Sequence, residues 1–223
     1  MRTVSPADSP TRERILDAAD RLLARYGFRK TTMDDLASEA GIGKGTTYLH
    51  FSSKGEVALG TIDRMVARLI ERLEAIAAES APAPERLRRM LLLRVMHRFD
   101  HAQPHSQSLD EVLTTLRPAL LARRERYFRD EAARIAQVIR DGVREGRLRA
   151  ADPAGAAHTL ITATNALLPY SLSVEELGRR RDVESRAERL IDLLFAGLCA
   201  PASTRSQARS FAKPHLAQRR ILK

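Results

Sequence analysis

Apolar residues recur every three or four positions along most of this chain. Ile15, Ala19, Leu22 and Tyr26 do so near the start, and Ile62, Met65, Leu69, Leu73 and Ile76, on the same side as Val57, over a longer stretch. A strand alternates at a period of two, so this spacing calls for helices that bury one stripe each against other helices. The composition agrees. Aromatic residues make up 4% of 223, Trp is absent, and there are only 11 Gly and 10 Pro. A β-sandwich or barrel needs more β-branched and aromatic residues and more turns. The chain is therefore predicted to be all-α, with about nine helices.

Punctuation divides it. Residues 1–10 carry two Pro and read as a loose arm. A helix from Thr11 is stopped by Gly27. Short segments follow at Met33 to Ala40, closed by Gly41, and at Lys44 to Phe51. A long helix runs from Ser53 to about Glu79, where Pro82 and Pro84 break it. Further helices are predicted at Glu85 to about His101, Ser108 to Leu116, and Pro118 to about Gly146. One more opens at Asp152 or Pro153, with Asp152 as N-cap, and runs to about Leu168. The last spans about Val183 to Leu198. The expected organisation is an arm (1–10), a small helical unit (11–59), a larger bundle (60–200) and a tail (201–223). The tail has six basic and no acidic residues and no apolar periodicity, so disorder is expected there.

The formal charge is +10, and more than half of that excess sits in the tail. Residues 1–60 hold 9 basic and 8 acidic residues. A nucleic-acid reading therefore needs a motif and cannot rest on net charge. One Cys (Cys199, expected as buried filler) excludes an intramolecular disulfide framework and a Cys-cluster zinc site. No apolar run approaches the roughly 18 residues of a membrane span, and the N-terminus lacks the apolar stretch of a signal peptide. A soluble, cytoplasmic protein is expected. Neither a G-x-S-x-G elbow, nor a phosphate-binding glycine loop, nor a His-Glu metalloprotease pattern occurs, so an enzyme is not expected.

Residues 31–54 read TTMDDLASEAGIGKGTTYLHFSSK. A capping box is available from Thr31 to Asp34 or from Thr32 to Asp35. Met33, Leu36, Ala37 and Ala40 form the inner face of a two-turn helix, and Gly41 suits a left-handed turn. A second short helix follows. This is the grammar of a helix-turn-helix. In the second helix Lys44, Gly45, Thr46 and Thr47 are small or cationic where a core helix would be apolar. Gly45 costs about 1 kcal/mol relative to Ala, which suggests close approach of a phosphate backbone. The Thr hydroxyls and methyls suit base edges. Ser53 to Glu56 offers another capping box, and Lys54 at that helix start suits a phosphate.

RERILDAADRLLARYGFRKTTMDDLASEAGI, GKGTTYLHF and SSKGEVAL together resemble the DNA-binding domain of the TetR family of transcriptional regulators. The T-x-Y-x-H-F element with the following S-K carries that resemblance. It implies that Tyr48, His50 and Lys54 contact phosphates, that Lys44, Gly45, Thr46 and Thr47 face the major groove, and that Thr31 or Thr32 touches a phosphate. It further implies a repressor released from a near-palindromic double-stranded operator by a small-molecule effector. The alternative is a helical small-molecule-binding or enzymatic bundle in which the helix-turn-helix is secondary.

Within the bundle, Met90, Leu93, Met96, Phe99, Leu113, Leu116, Tyr127, Phe128 and Asn165 are the candidate lining of an effector pocket. The helices near 153–168 and 183–198 are apolar over wide faces. Leu160, Ile161, Leu168, Leu190, Leu194 and Leu198 are therefore the candidate contacts of a homodimer. His97, His101 and His105 recur at i, i+4 and i+8 with Asp100 among them. Pro104 is expected to break the helix before His105, so core-edge histidines are the preferred reading and neither metal nor cofactor is expected.

Overall fold

A computed structural model describes residues 9–169 and 178–199. The expected N-terminal arm (residues 1–8 of it) and the expected disordered tail lie outside the described residues. Among those described are eight α-helices and no strand beyond an isolated bridge between Leu148 and Cys199. The helices are α1 (Pro10–Lys30), α2 (Met33–Ala40), α3 (Lys44–His50), α4 (Lys54–Ala77), α5 (Ala83–Ala102), α6 (Ser106–Arg144), α7 (Pro153–Asn165) and α8 (Arg180–Leu198). A 3₁₀ turn, Gln103–His105, joins α5 to α6. No described helix is long and apolar enough to cross a membrane.

Local chemistry accounts for most boundaries. Ser9 caps α1, with Pro10 at its first position, where a missing N–H costs nothing. Gly27 (φ 81°) breaks α1 as expected, and Phe28 to Lys30 form one further turn. Thr32 caps α2 through a complete capping box with Asp35, and Gly41 (φ 61°) closes that helix in the left-handed region. Asp152 caps α7.

Several ends shift by a few residues, α5 starting at Ala83, α7 ending at Asn165 and α8 starting at Arg180, and one expected break is missing. The segments around Ser108–Leu116 and Pro118–Gly146 form a single 39-residue helix, with Pro118 inside it. Proline removes one hydrogen bond and crowds the carbonyl four residues earlier. Here both Thr114 and Pro118 are exposed, so water can satisfy the orphaned carbonyl and the helix continues.

Two main cores form. Ile15, Leu16, Ala19, Leu36, Phe51 and Val57 join α1, α2, α4 and the residue closing α3. Leu69, Leu73, Leu87, Leu91, Ile135, Ile139, Leu160 and Ile191 join α4 to α8. Because α4 contributes to both, it is the rod between them. Each fully buried Leu or Ile contributes about 1.5–3 kcal/mol. Charged groups are buried as well. Arg94, fully buried, donates through Nε to Glu131 at 2.6 Å, through Nη1 to Thr164 at 2.7 Å and through Nη2 to Asn165 at 2.5 Å, while Arg98 also pairs with Glu131. This network ties α5, α6 and α7 together.

Candidate nucleic-acid interface

The short helices are held from behind by α1. Arg14 donates to the carbonyls of Ala40 and Gly41 at 2.6 and 3.1 Å, so a charged donor fixes the turn between α2 and α3. Helix α3 starts from Gly43 without a side-chain cap. It presents Lys44, Gly45, Tyr48 and Leu49 outward, with Tyr48 47% and Leu49 85% exposed. Lys44 pairs with Asp34 at 2.9 Å, which raises its pKa chiefly through that hydrogen bond. Thr46 and His50 are half-buried.

Gly45 gives an independent indication of purpose. A Cβ built there meets nothing within 4 Å, so the fold does not demand glycine at a position where glycine weakens a helix.

Thr47, expected to face the major groove, and Thr31 and Lys54, expected at phosphates, are engaged within the chain. Thr47 is fully buried, and its Oγ1 is buried without a hydrogen-bond partner. With Phe51, four residues on and also buried, it forms the inner stripe of α3. A helix this short must still turn one residue per turn inward to pack, and a Thr in that place reads as polar in the sequence. Thr31 is also buried, donating its hydroxyl to the Gly27 carbonyl at 2.8 Å; Thr32 is the exposed member of the pair and the α2 cap. Lys54 donates its ammonium to the Phe28 and Arg29 carbonyls and lies 4.5 Å from the Phe28 ring centre. Conversely, Leu49 is presented outward although nothing in the sequence marks it as a reader, because an exposed Leu carries no signal until the helix phase is known.

Behind this unit lies an apolar cavity of about 200 Å³. Its wall takes Leu23 from α1, Ala58, Ile62, Met65 and Val66 from α4, Arg98 and Ala102 from α5, and Leu120, Leu121, Tyr127 and Phe128 from α6. Tyr127 donates its hydroxyl to Asp63; burial is the main cause that pushes its pKa upward. His101 and His105 also line the cavity. Burial pushes the His101 pKa down to about 4 and lowers that of His105.

Of the expected pocket residues, Tyr127 and Phe128 line this cavity, whereas Met90, Leu93, Met96, Phe99, Leu116 and Asn165 do not. Met90 is in the main core, with Leu93 packed on it. Met96 and Phe99 form a separate cluster with Val95, Leu168 and Val183. Leu116 packs on the N-terminal core. Asn165 serves Arg94. The side chain of Leu113 lies outside the described residues. Face assignment explains the shift: the cavity opens toward α1 and α4, whereas the α5 stripe through Met96 and Phe99 faces α8 and the end of α7.

The expected dimer residues divide similarly. Leu160, Ile161 and Leu168 are buried within the subunit, so they cannot also cover a partner. Leu194 and Leu198 are half-buried on the main core, and Leu190 is half-buried. The large apolar side chain that α8 exposes is Leu193, 74% exposed. Cys199 is exposed rather than buried.

This constellation defines a helix-turn-helix transcriptional regulator. Residues 15–60 match the family model for bacterial regulatory proteins of the TetR family, and residues 83–191 match that for the Tetracyclin repressor-like C-terminal domain. The chain belongs to the TetR family of transcriptional regulators. Members of the family bind DNA operators and effectors.

The HTH-type transcriptional regulator YhgD of Bacillus subtilis is 26% identical over 164 residues, covering 69% of this chain and 80% of that protein. YerO of Bacillus subtilis is 31% identical over 103 residues, and the match spans 46% of this chain but only 35% of YerO. A transcriptional regulator from Cytophaga hutchinsonii has the same fold, with TM-score 0.70 at 21% identity over 84% of this chain and 98% of that one. A TetR/AcrR-family regulator from Thermobifida fusca matches with TM-score 0.63 at 24% identity, over 85% and 98%.

Proposed function

We propose that this regulator is a homodimeric repressor that leaves a near-palindromic operator when a small molecule enters the α1–α4–α5–α6 cavity. The carrying observation is the composition of the cavity wall. Leu23 lies on α1, and Ala58, Ile62, Met65 and Val66 lie on α4. These two helices carry and brace α3. A ligand that needs more room must displace one of them, so the ligand-bound and operator-bound conformers compete. The cavity walls are apolar, with Arg98, Arg117 and Tyr127 among the polar groups, which suits an apolar molecule with one polar or acidic end.

In this reading residues 11–59 are the operator-reading unit and 60–200 the effector-binding and dimerisation unit. Lys44, Thr46, Tyr48 and Leu49 meet the DNA, with Leu49 offering a methyl-rich surface to thymine methyl groups. Thr32 and His50 lie beside the backbone. Two α3 helices sit one helical turn apart, or a multiple of it. The partner is met through the outer faces of α7 and α8, where Leu193 stands out. The test is an operator footprint combined with a thermal-shift screen of small molecules. A hit should raise the unfolding midpoint and release operator. Ala102→Trp, which fills the cavity, should bind operator and ignore the hit. Release that survives Ala102→Trp would place the effector elsewhere.

A further inference from the structure

Two histidines and a carboxylate from distant parts of the chain meet at the edge of the cavity. Asp20 comes from α1, His101 from the last turn of α5 and His105 from the 3₁₀ turn; one ligand atom of each lies within 4.8 Å of the others. The two imidazoles are 5.6 Å apart, ring centre to ring centre. The regular His97–His101–His105 spacing is not what unites them. His97 turns away, its Nε2 3.0 Å from the Met65 carbonyl oxygen and its Nδ1 3.0 Å from Arg72. Asp100 pairs with Arg180. Pro104 replaces the α-helix by a tighter turn, and this brings His105 beside His101.

We propose that Asp20, His101 and His105 form a binding site for a divalent transition-metal cation that bridges α1 and the bundle. The donor set is two nitrogens and one oxygen, the borderline chemistry of Zn²⁺, Co²⁺ or Ni²⁺, whereas Mg²⁺ and Ca²⁺ favour all-oxygen shells. Ligand atoms around a four-coordinate Zn²⁺ stand roughly 3.4 Å apart at bond lengths near 2.1 Å, so small side-chain rotations close the set. Asp20 has an oxygen available. Its Oδ2 accepts from Arg64 at 2.6 Å, while Oδ1 is buried without a hydrogen-bond partner.

On the α1 side of the site the charge also favours a cation, with Arg98, Arg117 and Arg124 standing on the cavity side. Arg64 is bound by three carboxylates, Glu13 at 3.0 Å, Asp17 at 2.7 Å and Asp20. Three negative charges against one positive leave an excess that a divalent ion balances. Because His101 and His105 line the cavity, the fourth coordination position opens into it, where water or a ligand's acidic end completes the shell. The cation pins α1 to α5 and so fixes the spacing between the reading unit and the bundle. That last consequence rests on the operator reading above, whereas binding of the ion does not.

The experiment titrates Zn²⁺ into the full chain by calorimetry and records the visible spectrum with Co²⁺. One ion per chain is expected, with the intense absorption of four-coordinate Co²⁺. Asp20→Asn, His101→Gln and His105→Gln should each weaken Zn²⁺ by roughly tenfold or more and abolish the Co²⁺ absorption, with helical circular dichroism unchanged. His97→Gln should bind as the parent does. If the three variants bind Zn²⁺ like the parent, or the parent shows no saturable binding, the site is overturned. The clamp is tested separately by operator affinity. Zn²⁺ should change it in the parent and not in His101→Gln; an equal response in both overturns the clamp even where calorimetry supports the site.

Discussion

The Lys54 ammonium lies 2.7 Å from the Phe28 main-chain oxygen, so the first residue of α4 closes the end of α1. A cation at a helix C-terminus satisfies orphan carbonyls and the negative end of the helix dipole. Lys54→Ala should therefore cost about 1.5–2 kcal/mol of stability, measured by urea denaturation. On operator DNA the slope of log affinity against log salt should stay nearly unchanged. A fall of about 1 per subunit would show instead that Lys54 leaves the carbonyls for a phosphate.

Gly45 separates folding from binding. Alanine fits the space within the chain and should stabilise the protein by roughly 0.5–1 kcal/mol. The same Gly45→Ala change should weaken operator binding, because its methyl group occupies the surface that meets DNA. Thermal unfolding and fluorescence anisotropy read the two effects. An Ala variant that is more stable and binds equally well would remove Gly45 from the interface.

Thr47 and Leu49 are predicted to exchange the roles their side chains suggest. Thr47→Val removes a buried hydroxyl that has no partner, so it should be neutral or stabilising by about 1 kcal/mol, with base preference unchanged. Leu49→Ala should leave stability within about 0.5 kcal/mol and lose about 1–3 kcal/mol on the cognate operator relative to scrambled DNA. Competition binding on single-base operator variants decides between them.

Glu131 pairs with both Arg94 and Arg98 in the interior of the bundle. Glu131→Gln removes the negative charge that these two buried guanidinium groups share and should destabilise the bundle by about 3–5 kcal/mol. The double variant Arg94→Met with Glu131→Met should recover part of that loss, since the two sites are directly coupled. Equal losses that simply add, in denaturant titrations, would mean the pairing is energetically minor.

Leu193 is the test of assembly. Leu193→Arg places a charge on the exposed apolar position of α8 and should yield monomers by light scattering, with helicity retained and specific operator binding lost. A dimer that survives Leu193→Arg would move the interface away from α8.

The all-α class, the capping box of α2 and the helix-turn-helix are legible in the residues alone. They depend on local chemistry: Thr32 and Asp35 are three residues apart, Gly41 takes a positive φ, and a 3.6-residue apolar period survives any tertiary arrangement. What each stripe touches is not legible there. Thr47 is polar yet faces inward, Leu49 is apolar yet faces out, and Leu160 and Ile161 satisfy their own subunit. Helix phase and neighbours settle such matters, and neither is written in one segment. Pro118 continues its helix because its surroundings are exposed, which only the fold reveals. In the Asp20–His101–His105 cluster the carboxylate stands more than 80 residues from either imidazole along the chain. Side chains that far apart carry no mutual pattern until packing of α1 against the end of α5 brings them together.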